Sequence, residues 1–261
     1  IQSLNLQYIL NEEEKLAFLF GNIDCKGDIL IPKMIEHEGS EYKVVRIISQ
    51  SFRNDKNIRS IQFPPDSEVQ TIDEGAFLDS SITSITIPPN VTKINEYCFC
   101  GCNKLQQVVF PSNSKLKIIS ECAFFHSAIT SIIFPPSVTK ICKSAFFECY
   151  ELHKVEFALN SGLEFIGENA FRSSGIERIS IPSSVTIIDD GAFYECRELA
   201  NVEISPYSKL RSINTDSFSY SIINSIFIPP EVTIIDDGAF YQCENLKIVD
   251  FSSDSLGAYM S

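Results

Sequence analysis

A stacked parallel-β solenoid is the fold this sequence predicts, and three observations predict it. Phe recurs at 52, 77, 99, 124, 146, 171, 193, 218 and 240, with gaps that alternate between 25 and 22 residues. Between consecutive anchors lies one short apolar run of period two, closed in most copies by Pro. Nearly all the Phe and Ile fall at fixed offsets from the anchors, so the core is a long ribbon, not a ball. Units of about 20–29 residues are too small to bury an apolar face alone and must stack on their neighbours. Function in such a chain sits on a surface.

The alternation defines a double unit of 47 residues. Cys102, Cys149, Cys196 and Cys243 follow it, each three residues beyond an anchor Phe, and the intervening copies carry Ser80, Ser127, Ser174 and Ser221 there.

Within each copy the period-two run reads as a strand. Leu105, Val108 and Phe110 form one set, and Leu199, Val202 and Ile204 another, with the last two apolar positions inward and the residue between them outward. Pro88, Pro111, Pro135, Pro182 and Pro229 follow at once. Pro cannot donate to a sheet ladder, so each ends its strand and turns the chain. A second short patch, Val91–Ile94 or Val185–Ile188, is expected along the opposite wall. The Gly-Ala-Phe or Cys-Ala-Phe anchor is expected to open a short helical or 3₁₀ turn.

Residues 1–46 lack the anchor. Tyr8-Ile9-Leu10 and Ala17-Phe18-Leu19-Phe20 look like a hairpin, and Gly27–Pro32 like an incomplete repeat, which together read as an N-terminal cap. Residues 47–261 read as nine repeats of a single solenoid domain. Leu246, Val249 and Phe251 form the ninth strand, with no cap apparent beyond it. An open strand edge there would allow self-association as a homodimer.

The pattern from Phe134 to Phe157, Phe-Pro-Pro-Ser-Val-Thr-x-Ile-x-x-x-Ala-Phe-x-x-Cys-x-x-Leu-x-x-Val-x-Phe, resembles the repeat of BspA-like, Treponema-type, leucine-rich repeat proteins. The resemblance covers roughly Gly27 to Phe251. It departs from the commonest leucine-rich repeats, which carry Asn or Cys after the strand where this chain carries Pro. It implies a leucine-rich repeat solenoid with a curved parallel sheet, short second-wall strands and 3₁₀ or short helical turns. It also implies a cell-surface or secreted location and adhesion to host or neighbouring-cell proteins, with no catalytic residues to carry over.

Neither catalysis nor a cofactor is expected. The three His, His37, His126 and His153, stand outside any nucleophile elbow, zinc-protease motif or phosphate-binding loop. His126 and His153 read as solvated surface side chains. The cluster Cys98, Cys100 and Cys102 suggests a metal site, but Cys98 occupies the small core place held elsewhere by Ala, and Cys102 belongs to the regular column. Column cysteines two repeats apart are separated by roughly 9–10 Å, beyond the ~7 Å reach of a disulfide. These thiols are expected to be buried and inert.

Charge narrows the partners. The net charge is −13 and no basic cluster occurs, which disfavours nucleic acid and anionic membranes. No run approaches the roughly 18 apolar residues of a spanning helix, so no direct membrane insertion is expected. Asp73-Glu74, Asp189-Asp190 and Asp236-Asp237 precede their anchors and read as caps of the following turn, with a divalent-cation ridge as the other reading.

A protein partner would meet the outward strand columns. The central column includes Val109, Ile133, Glu156, Glu203, Phe227 and Asp250, and Arg178 lies in the column beside it. Val109 with Ile133, and Phe227 with Ile248, are expected to make apolar spots. Leu78, Phe125, Phe147, Tyr194 and Tyr241 make a second stripe over the outer wall.

Overall fold

The structure is a computed structural model that describes residues 5–251. The chain divides into two compact units, Ile1–Ile129 and Thr130–Ser261.

In the first unit, β1 (Leu6–Asn11) and β2 (Leu16–Asn22) form an antiparallel hairpin. Next come β3 (Gly27–Leu30), β4 (Met34–His37) and β5 (Ser40–Ile47), with β2 parallel to β5 and β4 antiparallel to it. Longer strands β6 (Ile58–Gln62), β8 (Ser84–Thr86) and β10 (Gln107–Val109) extend β3 in parallel. Two-residue strands β7 (Thr71–Ile72), β9 (Lys93–Ile94) and β11 (Ile118–Ile119) continue from β5 along the second wall.

The second unit repeats the plan. Its strand face holds β12 (Ser131–Phe134), β14 (Lys154–Phe157), β16 (Arg178–Ile181) and β18 (Asn201–Ile204), all parallel, and a separate pair, β20 (Ser225–Ile228) with β22 (Ile248–Phe251). Its second wall holds β13 (Lys140–Ile141), β15 (Phe165–Ile166), β17 (Ile187–Ile188), β19 (Ser212–Ile213) and β21 (Ile234–Ile235).

Each anchor Phe from 52 to 218 is fully buried, and in both units the rings stack. Centroids are 5.0 Å apart for Phe52–Phe77 and 5.3 Å for Phe171–Phe193, with interplanar angles of 6° and 5°. Offset stacking of this kind adds about 0.5–1.5 kcal/mol per pair beyond burial. The inward strand residues are buried as expected: Ile132, Phe134, Ile226 and Ile228 are at most 2% exposed. Each Pro that ends a strand opens a tight turn, its carbonyl accepting from the residue three on, as from Val91 to Pro88 and Val185 to Pro182.

The turn at the anchor differs from expectation. Among the described residues there is no α- or 3₁₀-helix. Single i→i+3 bonds do form, as from Ala76 to Asp73, Leu78 to Gly75 and Ser80 to Phe77. The alternate N–H groups leave the turn: Gly75, Phe77 and Asp79 donate to Glu96, Cys98 and Cys100 of the next copy. That outward swing needs left-handed backbone two residues before and two after every anchor, as at Gly75 and Asp79 (φ 58° and 57°) or Gly191 and Glu195 (59° and 56°). Left-handed residues stop a helix from propagating, so the third wall is a ladder between copies.

The stretch after Phe251, where no cap was expected, lies outside the described residues.

Candidate functional site

Parallel pairing places the outward residues of the second unit in one row. Ile133 stands opposite Glu156, Ser180 opposite Glu203, and Phe227 opposite Asp250. Ile133 is 60% exposed, Ser180, Glu203 and Asp250 are exposed, and Glu156 and Phe227 are half-buried. In the neighbouring column Arg178 is exposed and lies beside Lys154, which forms an ion pair of 2.7 Å with Glu156. Val109 stands outward on β10 of the first unit and is 39% exposed. Val109 and Ile133 therefore belong to different units, and each is exposed on its own strand. Ile248 pairs with Ser225, which puts it diagonal to Phe227.

A cleft of about 500 Å³ opens where the strands of the second unit end. Ile133, Glu156 and Ser180 of the strands line it together with Leu159, Ser161 and Ser183 of the following turns. Leu159 is fully exposed, and Tyr207, in the corresponding turn two copies on, is 88% exposed. An apolar tip beside serine hydroxyls and one carboxylate suits a polypeptide better than a small ligand, because the site is wide and mixed in polarity. Strand alternation points to Ile133 and Glu156, but Leu159 lies in an irregular turn where no period applies. Its one sequence signal is a large apolar residue at a place that in other copies carries Pro or Ser.

The outer wall carries an ordered stripe. The Arg172 guanidinium lies 5.2 Å from the Phe147 ring centre and 4.5 Å from that of Tyr194. Tyr220 then meets Tyr194 and Tyr241 edge to face, at 5.5 and 5.7 Å. The expected stripe of Phe147, Tyr194 and Tyr241 is thus linked through Arg172 and Tyr220, which the anchor register alone did not include.

The acidic pairs serve the stack more than the turn. Asp73 Oδ2 accepts from both Nε and Nη2 of Arg46 at 2.8 Å. Asp189 Oδ1 accepts from the N–H of Asp190 and also from Asn214 of the next copy. Burial, then the charge of Asp189, push the Asp190 carboxyl above its ordinary value.

None of the nine cysteines is disulfide-bonded. The column cysteines are buried, and burial pushes the Cys102 and Cys196 thiols up to about 12. Cys100, half-buried, is pushed up to about 11 by the same cause. A thiol so held stays protonated at neutral pH and is a poor nucleophile or metal ligand.

Among the described residues no helix is long and apolar enough to cross a membrane.

Short parallel strands, stacked Phe anchors and left-handed turns repeated copy after copy define a leucine-rich repeat solenoid. The chain belongs to the BspA-type leucine-rich repeat family, whose profile matches residues 35–153 and 117–247 with six copies. The structure is similar to that of a leucine-rich repeat protein from Bacteroides ovatus, with 26% identity, a TM-score of 0.78, and 95% of this chain and 70% of that one covered. It shares its fold with a Treponema pallidum leucine-rich repeat protein at 20% identity and a TM-score of 0.54, covering 95% of this chain and 90% of that one. The pneumococcal vaccine antigen PcpA has the same fold at 17% identity and a TM-score of 0.54, covering 98% of this chain and 85% of that one. No curated protein sequence matches the chain.

Proposed function

We propose that this chain is a non-enzymatic protein-binding module of adhesin type, displayed on a cell surface or secreted, that takes its partner on the strand face of its second unit. The observation that carries this reading is the row of Ile133, Glu156, Ser180 and Glu203 on successive parallel strands, bordered by the cleft under Leu159. Leucine-rich repeat proteins generally bind proteins, and rigid strands fix the spacing of such a row without cost in loop ordering. Arg178, Phe227 and Asp250 stand outward on other strands of the second unit, and Val109 stands outward on β10 of the first.

The test compares the wild-type chain with the E156K/E203K/F227A variant against a panel of purified host extracellular proteins. At least one panel member is expected to bind the wild type and to lose most of that binding to the variant, with circular dichroism unchanged. Equal binding by both, or no binding by the wild type, would overturn the assignment.

A second reading is self-association through β22, and one observation favours it. Val249 occupies the inward register of Val155 and Val202, which are 6% and 7% exposed, yet it is 41% exposed. Light scattering from micromolar to near-millimolar protein is expected, on this reading, to show a dimer that V249P abolishes. A monomer at every concentration would dispose of it.

A further inference from the structure

We propose a binding site for one divalent transition-metal ion, Zn2+ by chemical class, built from His153, Glu177 and Glu198. A ring nitrogen of His153 and one carboxylate oxygen from each glutamate all lie within 4.8 Å of one another. Glu198 Oε2 lies 3.6 Å from Nδ1 of the same ring, and because Nδ1 faces the Gly175 carbonyl, Nε2 is the nitrogen that would ligate. In a tetrahedral zinc site, bonds of about 2.0–2.2 Å set neighbouring ligand atoms about 3.4 Å apart. Rotations of the two exposed glutamate side chains toward the held imidazole would close the set.

The backbone places these residues. Glu177 N–H donates to the His153 carbonyl and Ala200 N–H to that of Glu177, so the positions just before β14, β16 and β18 stack in register. Glu198 reaches in from the turn before β18, whose closing bond runs from Leu199 to Cys196. The imidazole is oriented as well: the Gly175 carbonyl oxygen is 3.0 Å from Nδ1. Only a glycine permits that approach, since a Cβ at 175 would lie 2.2 Å from the Tyr150 carbonyl and 3.0 Å from Nδ1. A backbone acceptor that holds the ring of a ligating His is the usual outer-shell partner of a metal site. Glu151 adds a further carboxylate, 4.0 Å from Nε2.

The donor set selects the ion. One imidazole with carboxylates suits zinc and its first-row neighbours. Calcium wants six to eight oxygens, which this site does not gather. Lys154 and Arg197 pair instead with Glu156 and Glu195, at 2.7 and 2.8 Å. Three protein donors leave at least one coordination position open to water or to a donor from a bound molecule. The site lies at the opening ends of β14 and β16, away from the cleft at their closing ends, and does not depend on the partner-binding reading.

Calorimetry with ZnCl2 alone on the full chain is expected to show one equivalent bound, and H153A or E198Q to weaken it by about tenfold or more. Imidazole nitrogen resonances should shift for His153 and not for His37 or His126. Co2+ should give ligand-field bands without a thiolate charge-transfer band, which separates this site from Cys100, Cys122 and Cys142. Affinity unchanged in H153A, a thiolate band, or no binding at millimolar Zn2+ would overturn the proposal.

Discussion

The Cys196 thiol donates to the Phe171 carbonyl oxygen across 3.1 Å, tying its copy to the Phe of the copy before it. Ser174 Oγ lies 3.4 Å from the same sulfur, and Cys102 with Phe77 and Ser80, and Cys243 with Phe218 and Ser221, repeat the arrangement. The 47-residue double unit is thus a hydrogen-bonding unit: Ser supplies one partner and Cys the other.

Removing the thiol takes one of two donors from the buried Phe171 carbonyl, which still accepts from the Ser174 N–H, and leaves Ser174 Oγ without its sulfur partner. Cys196→Ala is expected to destabilise by about 0.5–1.5 kcal/mol, the net worth of one ordinary hydrogen bond. The urea midpoint of the variant against wild type measures it, and an unchanged midpoint would show that the thiol only fills space.

The left-handed positions flanking each anchor predict opposite effects for opposite substitutions. Gly191→Ala, at φ 59°, is expected to cost about 1–2 kcal/mol. Ser144→Gly, at φ 52°, relieves the same strain and is expected to raise stability slightly, net of the added freedom of the unfolded chain. Thermal melts of the two variants should move in opposite directions.

Acid sensitivity should centre in part on Asp28. Hydrogen bonds from Arg59 and Ser60 hold its carboxyl well below the ordinary range. A carboxyl whose folded value is depressed contributes stability above its unfolded value, about 3.9, and loses it as pH falls toward the folded value. Asp28→Asn should therefore lower stability at neutral pH and flatten the loss between neutral pH and pH about 3. Urea midpoints at the two pH values check both, and parallel losses in variant and wild type would contradict the assignment.

Much of the fold is legible in the residues because its determinants are periodic. Phe52 to Phe240 mark the stacked core, and sets such as Ile129, Ile132 and Phe134 mark the strands, since a one-residue slip would turn each apolar face outward. The turn at the anchor is less legible. Its left-handed residues include Gly75, Asn169 and Asp216, which favour that conformation, but also Tyr97, Glu148 and Tyr220, which do not. There the bonds to neighbouring copies outweigh local preference. The candidate site divides in the same way: Ile133 and Glu156 follow from alternation, whereas Leu159 sits in a turn. His153 reads as a lone surface side chain until the stacking register brings Glu177 beside it, and Glu198 reaches in from an irregular turn.

The central claim, that a protein partner lies along the strand face of the second unit, is tested most directly by hydrogen exchange. The measurement compares the chain alone with the chain saturated by the panel protein that binds it. Slowed exchange confined to Ser131–Phe134, Lys154–Phe157, Arg178–Ile181 and Asn201–Ile204, with the turns carrying Leu159, is the predicted result. Protection confined to the outer wall of Arg172, Tyr194 and Tyr220 would contradict it.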